Sequence, residues 1–219
     1  MNRIIKNNKY LIVFITYLLG TTTLFLGKYS LGYNWFEQWF FDKFFIFQFI
    51  SVVIVGLALE EKYYNTLSYI RIGDRKRILK SQFLRYYEQG FIYLNIMFIL
   101  IILGGILTNF FLGSKDLLYI VQWYIRYLLG TILLINVILC LSWSNSLILS
   151  RYSELLAYAF LCIEVIFIRG NLRKNFNIDI KLLFSWIFYG GLESYFIMLV
   201  LIIITTMVCI KLSNRRDFL

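Results

Sequence analysis

Six apolar runs, at residues 9–27, 44–59, 90–107, 117–141, 147–168 and 195–212, divide a chain of 219 residues, and no proline interrupts any of them. A bilayer core of about 30 Å takes about 20 apolar helical residues to cross. Within lipid, only helices and closed barrels satisfy every backbone polar group internally. Runs of this length therefore predict an all-α polytopic membrane protein, with residues 1–219 forming one transmembrane domain of six spans. The second run is short unless it extends back into "WFFDKFF", and Arg151 and Glu154 interrupt the start of the fifth. Composition agrees. Hydrophobic residues make up 60% of the chain and charged ones 16%, whereas soluble domains carry about a quarter charged. The first run has no small-x-small cleavage site, so a retained signal-anchor helix is expected.

Charge sets the expected orientation. The formal net charge is +10, from 22 basic and 12 acidic residues, and in such a chain basic residues first report topology. Arg3, Lys6 and Lys9 precede the first run, and Lys211, Arg215 and Arg216 lie at or beyond the end of the last. Seven more stand in residues 60–90, and Arg151 follows the fourth run. The opposite side has Lys28, Lys43, Lys115, Arg169, Arg173, Lys174 and Lys181. Fourteen against seven predicts both termini and residues 60–90 in the cytoplasm, although "RGNLRKNF" places three basic residues outside. Since topology accounts for the charge, no nucleic-acid partner is expected. Abundant Ile, Phe, Tyr, Asn and Lys suit an AT-rich bacterial genome, and the expected location is the bacterial cytoplasmic membrane.

The outer connections are themselves apolar. "GYNWFEQWFFDKFF" sets Trp35 and Trp39 among phenylalanines, the composition of a helix lying at the interface. "NIDIKLLFSWIFYGGLES" is too short to cross twice. It reads either as a re-entrant hairpin turned at Gly190-Gly191 or as one interfacial helix.

Several chemistries lack their residues. Without histidine, His-based acid–base catalysis and most zinc sites are out of reach. Cys140, Cys162 and Cys209 fall inside apolar runs without CxxC spacing and read as small buried hydrophobes. "GTTTLFLGKYS" has the wrong glycine spacing for a phosphate loop and no Ser or Thr after Lys28. The Glu60-Glu61 pair is similar to that of CAAX-type intramembrane proteases, but those enzymes also need histidines. No enzyme activity and no metal site are expected of this chain.

Ionisable groups within spans are costly and point to function. Arg126 lies nine residues into the fourth run, about 13 Å at about 1.5 Å per residue. Glu164 lies four residues from the outer end of the fifth, about 6 Å by the same rise. The two either pair at the wall of a substrate path or each snorkel to the interface. Gln48, Asn95, Gln122 and Asn136 are the other polar candidates; such groups mostly bond between helices. Glycines 56, 104, 105 and 130 allow close helix approach.

"EEKYYNTLSYIRIGDRKRILKSQFLRYYEQG", residues 60–90, is the one long polar stretch. Leu67, Ile70 and the Tyr63–Tyr64 pair recur at helical spacing opposite Lys62, Asn65 and Ser68, a short amphipathic helix. "IGD" breaks it, and "RKRILKSQFLRYYEQ" starts a second, basic helix leading into the third run. The chain here resembles the ABC-2 class of ABC-transporter permeases. Glu61, Asn65-Thr66-Leu67, Arg71, Arg75, Arg77 and Lys80 occupy the places of that family's acidic residue, Gly-Thr-type step, apolar stretch and basic entry to the next helix. Asn65 stands where glycine is usual, and the N-terminal interfacial helix is reduced to about "NRIIKNNK". The resemblance implies six spans per subunit and a coupling segment, residues 60–89, inserted into a separate cytoplasmic ATPase. Leu67, Ile70 and Tyr63 or Tyr64 would form its anchor and Glu60, Glu61 and Arg71 its charged rim, with Thr66 and Arg75 in the same coupling set. It further implies two ATPase copies, a second permease chain (identical or sister), and ATP and magnesium held by the ATPase, with no cofactor in this chain. Aromatic spans suit an amphipathic or hydrophobic cargo, such as a toxin peptide or bacteriocin, for secretion or self-immunity. The alternatives are a basic helix resting on anionic lipid and a stand-alone membrane immunity or sensor protein working without ATP.

Overall fold

A computed structural model describes residues 75–107, 114–169, 183, 185–187 and 191–215. Within them the chain forms helices α1 (Arg75–Leu107), α2 (Ser114–Ser142), α3 (Leu147–Arg151), α4 (Ser153–Arg169) and α5 (Leu192–Arg215), with a 3-10 turn at Ser185–Ile187. The described part is all-helical. Two stretches in it, Ile120–Ser142 of α2 and Leu192–Asn214 of α5, are long and apolar enough to cross a membrane, with mean hydropathies of 2.0 and 2.5. The first two apolar runs and residues 60–74 lie outside the described residues.

Helix α1 carries the basic segment into the third apolar run without a break. Its 33 residues give a rod of about 50 Å at about 1.5 Å per residue. The polar start obeys the same 3.6-residue repeat as the rest: Ile78, Leu79, Gln82 and Tyr86 are buried, while Lys76, Arg77, Lys80 and Glu88 are exposed. Farther along, Tyr93, Leu94 and Phe98 continue the buried stripe. Both halves thus face the bundle with one continuous side, and Gly90 at their junction lies inside the helix without ending it.

Helix α2 is the hub. It packs against α1, α4, α5 and the 3-10 turn, and 61% of its apolar window is buried, against 17% for α5. From Leu133 to Leu139 nearly every side chain is enclosed, as expected of a helix with neighbours on several sides. Cross-helix bonds fix the directions. Gln82, Tyr87 and Asn95 on α1 meet Trp143, Asn136 and Tyr124 on α2 in descending order, so these two helices are antiparallel. Tyr195 and Thr206 on α5 meet Arg126 and Asn136 on α2 in ascending order, so that pair is parallel. The start of α1 and the ends of α2 and α5 therefore share one end of the bundle. Exposed Lys76, Arg77, Lys80 and Lys211 collect there, together with the connection that carries Arg151.

The 147–168 run, expected as one helix, bends at Tyr152, where the backbone leaves helical geometry at φ −119° and ψ 28°. Backbone bonds from Tyr152 N to Ile148 O and from Leu156 N to Tyr152 O carry the ladder through the bend. Its cause is local. Ser150 Oγ donates to the Leu147 carbonyl, and Ser153 Oγ to the Glu154 carboxylate. Such short side-chain bonds compete with a straight helix.

Two glycines mark close approaches. A Cβ on Gly90 would stand 2.9 Å from Ile135 Cδ1 across α1 and α2, and one on Gly130 would stand 2.5 Å from Ile187 Cδ1. Gly130 thus admits the 3-10 turn onto α2, where the sequence suggested a neighbouring helix. Gly191 enters α5 with φ +112°, a conformation that favours glycine. The chain turns there, just before Ser194 Oγ closes on the Gly191 carbonyl at 2.8 Å.

Candidate functional site

Asn136 gathers three helices. It sits on α2 with none of its surface exposed. Its Oδ1 accepts from Tyr87 Oη of α1 at 2.5 Å. Its Nδ2 faces three acceptors on α5: Thr206 Oγ1 at 2.9 Å, Thr205 Oγ1 at 3.2 Å and the Ile202 carbonyl at 3.2 Å. The threonine hydroxyls donate back to carbonyls of their own helix, Thr206 to Ile202 and Thr205 to Leu201 or Ile202. They are left as acceptors for the asparagine amide. Every polar atom of the knot is thereby engaged, the condition under which a buried polar network adds order without a desolvation debt. One turn along α2, the Cys140 thiol donates to the Thr205 carbonyl at 3.2 Å.

A second polar contact joins Trp143 Nε1 at the end of α2 to Gln82 Oε1 of α1 at 2.7 Å. A third, toward the other end, runs from Tyr124 Oη to Asn95 Oδ1 at 3.1 Å. Together these three ties, spread along the pair, hold α1 against α2 in a single register. Packing and polar ties, rather than the hydrophobic effect, hold helices together in lipid.

Arg126 is held between rings. Its guanidinium carbon lies 5.4 Å from the Trp123 ring centre and 5.0 Å from that of Tyr195. Its Nε donates to Tyr195 Oη at 2.9 Å, and that hydroxyl donates on to the Gln122 carbonyl at 3.2 Å. Cation–π contact and a charge-assisted hydrogen bond together keep a cation with 8% exposure in place. The clamp binds α2 to the first turn of α5. Glu164 is buried on α4 at 1% exposure, and Glu154 at the start of α4 at 8%.

The expected site residues divide by location. Gln48, Glu60, Glu61, Tyr63, Tyr64, Thr66, Leu67, Ile70 and Arg71 lie outside the described residues, as do "GYNWFEQWFFDKFF" and most of the candidate hairpin at 169–193. Arg75 opens α1. Arg126 and Glu164 are both buried on helices that pack together. Asn95 and Asn136 bond between helices, whereas Gln122 takes part through its backbone carbonyl. The sequence reading missed Tyr87, Tyr195, Thr205 and Thr206. The two threonines carried a readable signal, since "TT" is the one polar pair inside the last apolar run. Nothing in the sequence announced the tyrosines, which sit among seventeen in the chain. Among the described residues, no group of three or more metal-ligating side chains converges.

No protein-family model matches the chain, and no match was found among curated proteins or solved structures.

Proposed function

We propose that this chain is the membrane-embedded permease subunit of an ATP-driven exporter of the ABC-2 class, crossing the bacterial cytoplasmic membrane six times with both termini inside. It moves an amphipathic or hydrophobic substrate, such as a toxin peptide, and a separate ATPase chain supplies ATP and magnesium. Two ATPase copies serve two permease chains, and the chain carries no cofactor of its own. Residues 60–71 dock into the ATPase, with Leu67, Ile70 and Tyr63 or Tyr64 as anchor and Glu60, Glu61 and Arg71 as rim. Gln48, Arg126 and Glu164 lie along the substrate path.

The observation that carries this reading is the continuity of α1. A docking segment transmits force only if something rigid follows it, and Arg75–Leu107 is one helix tied to α2 at Gln82, Tyr87 and Asn95. A push at residue 75 reaches the hub without an intervening loop. The gathering of exposed Lys76, Arg77, Lys80 and Lys211 at one end supports assigning that end to the cytoplasm.

The test is affinity purification in detergent from the native host. An ATPase is expected to follow the chain in fixed ratio and to be lost from the Leu67→Asp, Ile70→Asp double variant. If no nucleotide-binding protein follows the wild-type chain, the reading fails and a stand-alone immunity or sensor protein takes its place.

A further inference from the structure

Two thiols meet one turn from the Asn136 knot. Cys140 on α2 is half-buried, Cys209 on α5 is fully enclosed, and both are reduced. One carbonyl brings them together. The Cys140 sulfur lies 3.2 Å from the Thr205 carbonyl, which in an α-helix takes the backbone N–H four residues on, that of Cys209. In a helix a side chain leans back over the turn before its own residue, which sets the Cys209 side chain beside that same carbonyl. The parallel run of α2 and α5, pinned by Asn136 to Thr205 and Thr206, keeps this juxtaposition fixed. Buried small hydrophobes at unrelated places on two helices need not meet; these do.

We propose that Cys140 and Cys209 are an oxidation site, a dithiol that closes to an intramolecular disulfide and welds α2 to α5. The oxidant is hydrogen peroxide, small and neutral enough to enter a protein interior at a helix end; Cys140 lies two residues from the end of α2. Its sulfur attacks one peroxide oxygen first; the O–O bond breaks, the departing hydroxide takes the thiol proton, and a sulfenic acid and one water result. The Cys209 sulfur then attacks the Cys140 sulfur. The S–O bond breaks, and the departing hydroxide leaves with the Cys209 proton as a second water. Two thiols and one peroxide thus become one disulfide and two waters. Closing the bond brings the sulfurs to about 2.05 Å, and a general thiol reductant reverses it. The oxidised form holds α2 and α5 in the described register, and the reduced form holds them only by Asn136 and its neighbours. This inference is independent of the transport reading.

The experiment uses the full chain in membranes, both wild type and Cys162→Ala. Each is treated with hydrogen peroxide, denatured, and counted for thiols with a mass-tagged maleimide. In Cys162→Ala both remaining thiols are expected to disappear together and to return with dithiothreitol. Peptide mapping of either protein should give one cross-linked pair containing residues 140 and 209 on a monomer. Cys140→Ser in the Cys162→Ala background should leave Cys209 open to alkylation. Prior denaturation in SDS should abolish the preference for this pair. Retention of both thiols in folded protein, irreversible oxidation without a cross-link, or a disulfide between two chains would each overturn the proposal. Because mapping of the wild-type chain reads the same bond, the test holds even where Cys162→Ala folds poorly.

Discussion

At the scale of single residues, Asn136 is where one side chain does the most. It joins α1 and α5 through the hub helix, and removing it takes from the Tyr87 hydroxyl the acceptor it has on α2. Interhelical hydrogen bonds in lipid average only about 0.6 kcal/mol, but leaving buried polar groups without partners costs about 1–3 kcal/mol. Asn136→Ala is therefore expected to destabilise the protein by about 1–3 kcal/mol, measured by unfolding in mixed SDS micelles. Thr205→Val should cost less, since Thr206 and the Ile202 carbonyl still serve the amide. Equal losses in the two variants would mean that Asn136 is no hub. The sequence marked Asn136 as one polar residue among several in the spans. It could not rank it, because rank depends on which neighbours the fold supplies.

At the scale of elements, α1 is the clearest success of pattern reading and α3–α4 the clearest departure. "RKRILKSQFLRYYEQ" was legible as a helix leading into the next apolar run, since its apolar positions keep the 3.6-residue repeat and no proline intervenes. The bend at Tyr152 was not, because it is a departure of one residue's backbone from helical geometry, which no residue pattern announces. The rigidity of α1 is open to test at Glu88, which is exposed at the junction of its basic and apolar halves. Glu88→Pro removes a backbone bond and costs the helix about 3 kcal/mol, whereas Glu88→Ala costs almost nothing. If the proposed transport reading holds, Glu88→Pro is expected to keep the proposed ATPase bound and abolish transport, measured by substrate efflux. Transport at the Glu88→Ala level would show that a straight α1 is not needed.

At the scale of the whole molecule, burial separates a hub from a wall. Along α5, Phe196, Leu199, Ile203, Met207 and Ile210 are exposed on one side, while Met198 and Cys209 are fully buried on the other. No charge falls between Glu193 and Lys211, so the outward side suits acyl chains over about 25 Å at about 1.5 Å per residue. Nitroxide labels placed one at a time on a cysteine-free chain in vesicles should show high oxygen collision rates at 196, 203 and 207 and low rates at 198 and 202. Protection of the outward positions would mean that protein, rather than lipid, covers α5.

What the sequence determined by itself is the helical character of the described part and two stretches apolar enough to cross a membrane, because run length and missing proline act locally. What the tertiary structure alone decided is which residues meet. Tyr87 on Asn136, Tyr195 on Arg126 and Cys140 beside Cys209 are pairs separated by 49, 69 and 69 positions. Such encounters follow from the rotation and offset of whole helices, and no local pattern encodes either quantity.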